Sequence, residues 1–141
     1  ALWSGIFRRA KKDVHGTICL IVSPEWSWEK DCENFSRGDV LQNPVSIAYG
    51  DGTDSTRKLD DGVRMLLSMM DYDGMTIIDT HGNIRAYHCF VKIDQNDCSV
   101  GGSRHIAFAT LKKKNNNLYK AIYFQSHEGQ VEFTYMSGPN E

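Results

Sequence analysis

The 141 residues predict an α/β fold, a single domain in which a central mixed β-sheet is flanked by helices. Three observations carry that expectation. Helical and extended periodicities alternate along the chain, and two pairs of extended segments are joined by short turns. Hydrophobic residues make up 40% of the chain and charged ones 24%, enough for a packed core. Helix–strand alternation favours a layered α/β core, and hairpins place antiparallel neighbours in the sheet, so a mixed sheet is expected rather than a purely parallel one.

Taken in order, residues 1–12 set Leu2, Ile6 and Ala10 on one helical face with Trp3 and Phe7 beside them. Arg8, Arg9, Lys11 and Lys12 fall in its last turns, where positive charge suits the helix dipole. Thr17 to Val22 is a short apolar run rich in β-branched residues and followed by Pro24, which reads as a buried strand. Residues 25–39 are polar around Trp26 and Trp28 and suggest a short helix or loop. Val40 to Tyr49 reads as an irregular extended segment with Pro44 at an edge or turn.

The plainest helix spans Ser55 to Met70. Leu59, Val63, Leu66, Leu67 and Met70 repeat at helical spacing, and Asp54 or Ser55 can cap the start. Met65, Met69 and Met70 are expected to pack in the core. Met75–Asp79, a turn at His81-Gly82-Asn83, and Ile84–Val91 form a predicted hairpin. A polar loop over 94–102 leads to a helix from about Ser103 to the Lys112-Lys113-Lys114 run. Leu118–Gln125, a turn at His127-Glu128-Gly129, and Val131–Tyr135 close the chain as a second hairpin.

A net charge of −2 gives no basic excess for nucleic acid, so none is expected as a partner. No apolar run approaches the roughly 20 residues that cross a bilayer. Cys19, Cys32, Cys89 and Cys98 lack CxxC spacing and read as reduced thiols of a cytoplasmic protein ahead of a disulfide or zinc framework. The chain starts at Ala1 inside a helical pattern, and a domain taken from a longer protein is the expectation.

Two segments carry the chemistry. In Tyr72-Asp73-Gly74-Met75, an acidic residue and a glycine stand where a helix gives way to a strand. As a bare pattern Asp-Gly is an ordinary turn. As a site, Asp73 could hold a divalent metal or accept a hydroxyl proton, and Gly74 would let a ligand approach the backbone. In Gly101-Gly102-Ser103-Arg104-His105, glycines precede a hydroxyl residue at a helix start, where free N–H groups and the helix dipole favour an anion. Arg104 adds a planar fork for phosphate oxygens, and His105 a further donor.

The two segments, their order and their spacing of about thirty residues resemble the diadenylate cyclase domain family, whose signatures are Asp-Gly-Ala and Gly-Thr-Arg-His-Arg. The resemblance runs from about Gly16 to Tyr135 and is best from Leu59 to Phe133. It implies a nucleotide-binding domain that takes ATP or a related adenine nucleotide. Asp73 would serve the metal (Mg²⁺ or Mn²⁺) and the attacking hydroxyl. Gly74 and Met75 would border the nucleotide, and Gly102, Ser103, Arg104 and His105 would grip its phosphates. It also implies face-to-face association of two domains.

Met75 stands where the family has alanine, adding bulk at the edge of the implied pocket, and Ile106 stands where it has a second arginine. One lost charge-assisted contact costs on the order of 1.5–3 kcal/mol. These departures favour a degenerate nucleotide sensor; the alternative is an active enzyme that converts two ATP into cyclic di-AMP. The His15-Gly16-Thr17 strand start is similar to that of divergent, nucleotide-sensing branches. His81 and His127 are expected at exposed turns, and His88 on one strand face opposite Cys89.

Overall fold

In a computed structural model, residues 6–10, 16–46, 55–70, 74–93, 103–114 and 117–136 are described. They form one six-stranded mixed sheet with helices on both faces. The order of elements is a helical segment at 6–10 (α1), β1 (Thr17–Val22), a short helix α2 (Trp28–Asp31) with a 3-10 turn (Cys32–Asn34), and β2 (Phe35–Ser46). Then come α3 (Ser55–Met70), β3 (Met75–Asp79), β4 (Asn83–Val91), α4 (Ser103–Lys113), β5 (Tyr119–Gln125) and β6 (Val131–Tyr135). Across the sheet the strands run β2-β4-β3-β1-β5-β6. Only β1 and β3 are parallel, with Ile18 opposite Met75 and Val22 opposite Asp79; both predicted hairpins form antiparallel pairs.

Burial on both faces explains why β1 reads as an unbroken apolar run, since all six of its residues are buried. Cys19 and Ile21 face α1 and α3, where Ile6, Phe7, Ala10, Val63, Leu66, Leu67 and Met70 pack. Ile18, Leu20 and Val22 face α4 and the Trp26 turn, with Phe108, Leu111, Tyr119, Ile122 and Phe124. The helical periodicity of α3 is thus satisfied by one sheet face, and that of α4 by the other. The methionines of α3 divide, because its buried stripe covers only part of the helix. Met70 is fully buried and Met69 packs at the margin, but Met65 is 43% exposed and lies outside the expected core.

Between Trp26 and Val40 the chain is more regular than the expected short helix or loop. Trp28–Asp31 is helical, but extended structure resumes at Phe35, five residues before the expected start of the strand. A buried carboxylate organises this turn. Asp31 accepts hydrogen bonds from Trp26 Nε1 (3.0 Å), Asn34 Nδ2 (2.6 Å) and the Tyr119 hydroxyl (2.5 Å). Pro44 falls in β2 at the sheet edge, a placement that tolerates its missing N–H.

β4 departs most from simple alternation. Ile84 lies opposite Ile78 on the α3 face, whereas Ala86 and Cys89 lie opposite Ile77 and Met75 on the α4 face. Two register shifts produce this, each the signature of a bulge. His88 has a positive φ of 54°, so strict strand alternation does not hold around it. Its Nδ1 lies 3.4 Å from Asp39 on β2.

Burial also sets an alkaline limit on stability. It pushes the thiols of Cys19 and Cys89 up to about 12 from an ordinary value of 9.0, with the Asp39 charge adding at Cys89. The Tyr123 hydroxyl rises to about 12 from 10.0 by burial first and by Cys19 second. The folded state keeps these protons where the unfolded chain releases them. Their contribution is therefore fully present below about pH 9 and is lost as pH rises toward 12. Urea midpoints are expected to fall from about pH 9 upward; a midpoint that rises between pH 9 and 10.5 would contradict this.

Candidate functional site

The pairing of β4 with β3 fixes where the two sequence motifs can meet. β4 runs antiparallel to β3, so its end lies beside the start of β3, and α4 begins from that same end of the sheet. A cavity of about 280 Å³ opens there on the α4 face, at the amino ends of the parallel pair β1 and β3. Gly74, Met75 and Arg104 all line it, with Ile18 from β1, Cys89, Phe90, Val91 and Ile93 from β4 and the residues after it, and Ala107 from α4. Residues chosen from two motifs some thirty positions apart therefore share one cavity. Asp73 and Gly102 lie outside the described residues, and Ser103 is placed by its backbone alone.

Each participant has a local physical reason for its position. Gly74 has a φ of 87°, a conformation that glycine adopts without steric cost. A Cβ built on it would stand 2.7 Å from the Cys89 carbonyl oxygen and 3.1 Å from the Cys89 nitrogen, so the β3 start sits directly against the β4 bulge. Met75 is buried in the core beneath the cavity. Its bulk is absorbed by the apolar layer, which refines the expectation that it would stand as an obstacle at the pocket's edge.

Among the described residues, Arg104 is the charged one of the cavity lining. Among the described residues it makes no ion pair and no hydrogen bond, in contrast to Arg85, whose guanidinium is spent on Asp79 (3.3 Å) and on the Trp26 carbonyl (2.7 Å). A guanidinium at the first turn of a helix, facing a concave and otherwise apolar wall, suits a phosphate or carboxylate.

His105 and Ile106 point elsewhere. His105 is exposed and sets its ring edge-on to Phe124 at 4.8 Å, so it stands near the helix start without lining the cavity. Ile106 follows Arg104 by two positions, about 200° around the helix, and does not line the cavity either. Position 106 therefore lies away from the cavity that Arg104 lines.

His81 and His127 are exposed at hairpin turns, as expected. Lys112 and Lys114 do more than solvate a helix end: Lys112 lies over the Phe108 ring and 3.9 Å from Glu132, and Lys114 Nζ bonds Asn34 Oδ1 at 3.1 Å. Among the described residues no group of three His, Cys, Asp or Glu side chains could hold a metal ion, and no helix is long and apolar enough to cross a membrane. Sequence reasoning did not reach the apolar wall of Phe90, Val91 and Ile93. The only available signal was an apolar run continuing to the end of the hairpin.

Compared with protein-family models the chain matches none, and no curated protein matches it.

Proposed function

We propose that this domain binds a nucleoside triphosphate of the ATP type, with its phosphates at Arg104 and the start of α4 and its apolar part against the wall of the cavity. The observation that carries this reading is the meeting of Gly74, Met75 and Arg104 around one cavity, with Arg104 in no ion pair or hydrogen bond among the described residues. A helix N-terminus and a guanidinium both favour a multiply charged anion, and the lining of Ile18, Phe90, Val91 and Ile93 favours a flat apolar group beside it. At about 280 Å³ the cavity is near the small end of ligand pockets, so part of a nucleotide would extend beyond it.

The described lining holds no carboxylate, so these side chains suit an anion and not a bare cation. Mg²⁺ or Mn²⁺ would come with the triphosphate, and Asp73, next to Gly74 in sequence, would be its protein ligand. In the leading reading the domain senses the nucleotide. One observation favours the alternative, a diadenylate cyclase acting through two facing domains: the burial of Met75 leaves the cavity open.

Thermal melts with ATP and Mn²⁺ or Mg²⁺ test the binding. At one hundred times the dissociation constant a ligand stabilises the folded state by about 2.7 kcal/mol, and Arg104→Ala is expected to remove most of that gain. An undiminished response in the variant would place the phosphate site elsewhere. Mass spectrometry for cyclic di-AMP, at protein concentrations high enough for two domains to meet, separates the readings. A sensor yields none, and a cyclase yields product that Asp73→Asn abolishes.

A further inference from the structure

We propose that Gly16 is a positioning residue for Arg104, its missing side chain being what seats the guanidinium at the cavity. The inference rests on the reading of Arg104 as the phosphate contact. Gly16 directly precedes β1, two residues before the cavity-lining Ile18. A Cβ placed on it would come within 2.9 Å of Arg104 Nη1 and 3.1 Å of Arg104 Cζ, so the guanidinium occupies the space that a side chain would fill. The third neighbour is the backbone nitrogen of His127 at 3.1 Å, in the β5–β6 turn. A backbone amide yields less readily than the tip of an arginine, so a side chain at 16 displaces the guanidinium first.

Gly16 does not belong to the glycines with positive φ, so its backbone accepts alanine without strain. The requirement for glycine at this position is thus one of space, at the Arg104 head first and at the His127 backbone beside it. Among the described residues no carboxylate or carbonyl holds that head, and it packs against the backbone at residue 16. A long side chain ordered before its ligand arrives loses less conformational freedom on binding.

The test is a mutant cycle read by binding of inorganic tripolyphosphate and of ATP, each with Mg²⁺. Gly16→Ala is expected to weaken both by about tenfold, the size of one charge-assisted contact, with an almost unchanged melting temperature in the absence of ligand. In the Arg104→Ala background the same substitution is expected to change nothing, because its effect runs through Arg104. Losses that multiply in the double variant would overturn the proposal. An independent readout is the rate at which phenylglyoxal labels Arg104, mapped by mass spectrometry. Labelling is expected to quicken in Gly16→Ala, and equal rates would overturn the proposal even if the parent bound no nucleotide. Should Gly16→Ala lower the melting temperature, the same substitution in an Arg104→Lys background decides the matter: the slimmer ammonium is expected to restore the parent's stability, and failure to do so shows the pressure to be on His127.

Discussion

Gly74→Ala is expected to lower stability by roughly 2–5 kcal/mol, combining the strain of a positive φ with overpacking against an unyielding neighbour. Both penalties are built into this one position. At φ 87° an alanine meets its own backbone, and its Cβ would come within 2.7 Å of the Cys89 carbonyl and 3.1 Å of the His88 carbonyl carbon. Those atoms belong to the β4 bulge and are held by pairing to β3, so they cannot turn aside as a side chain does. Gly129 supplies the control. It has a comparable φ of 92° but nothing within 4 Å of its built Cβ, so Gly129→Ala bears the strain alone, about 1 kcal/mol. Melting curves of the two variants side by side isolate the steric contribution. Equal losses would mean that β3 and the bulge are less closely apposed than described. Because Gly74 lines the cavity, its substitution is also expected to impair nucleotide binding by whatever fraction folds.

The second large effect is expected at the buried turn between β1 and β2. Asp31→Ala should destabilise the protein by about 3–5 kcal/mol, since it removes the buried acceptor that the Trp26, Asn34 and Tyr119 donors share. Asp31 is 1% exposed and receives the indole N–H of Trp26, the Tyr119 hydroxyl and the Asn34 amide; Asn34 in turn receives Lys114 Nζ. The network ties the turn after β1 to the start of β5 and the end of α4, and loss of its central acceptor affects all three. Tyr119→Phe removes one donor along with its bond and should cost only about 1 kcal/mol. Urea unfolding of the pair checks the ratio. A smaller loss for Asp31→Ala than for Tyr119→Phe would contradict the assignment of Asp31 as the shared acceptor. Nucleotide binding by the folded fraction is expected to survive, as none of these residues lines the cavity.

What the sequence by itself determined is the identity of the elements whose burial is periodic. β1, α3, β3, α4 and both hairpins lie where apolar spacing and turn residues put them, and α3 coincides with the expected Ser55 to Met70. Periodicity is a local property: a helix stripe or an apolar run is written in neighbouring residues whatever the rest of the chain does. The two short motifs, and the resemblance they carry, singled out Gly74, Met75 and Arg104, which line one cavity.

Tertiary structure alone decided what depends on register and on contacts between distant segments. Nothing in the spacing announces the two bulges that bring Ala86 and Cys89 to the same face, nor the solvent exposure of Met65 on a helix otherwise read correctly. The early start of β2 at Phe35 follows from pairing with Val91 at the sheet edge. Arg104 meets Gly74 because β4 returns antiparallel beside β3 and delivers α4 to that end of the sheet, and it meets Gly16 because β1 lies on the far side of β3. Such contacts join residues up to 116 positions apart, as from Phe7 to Tyr123. Their energies depend on where the whole chain closes, whereas propensity and periodicity act over a few residues at a time.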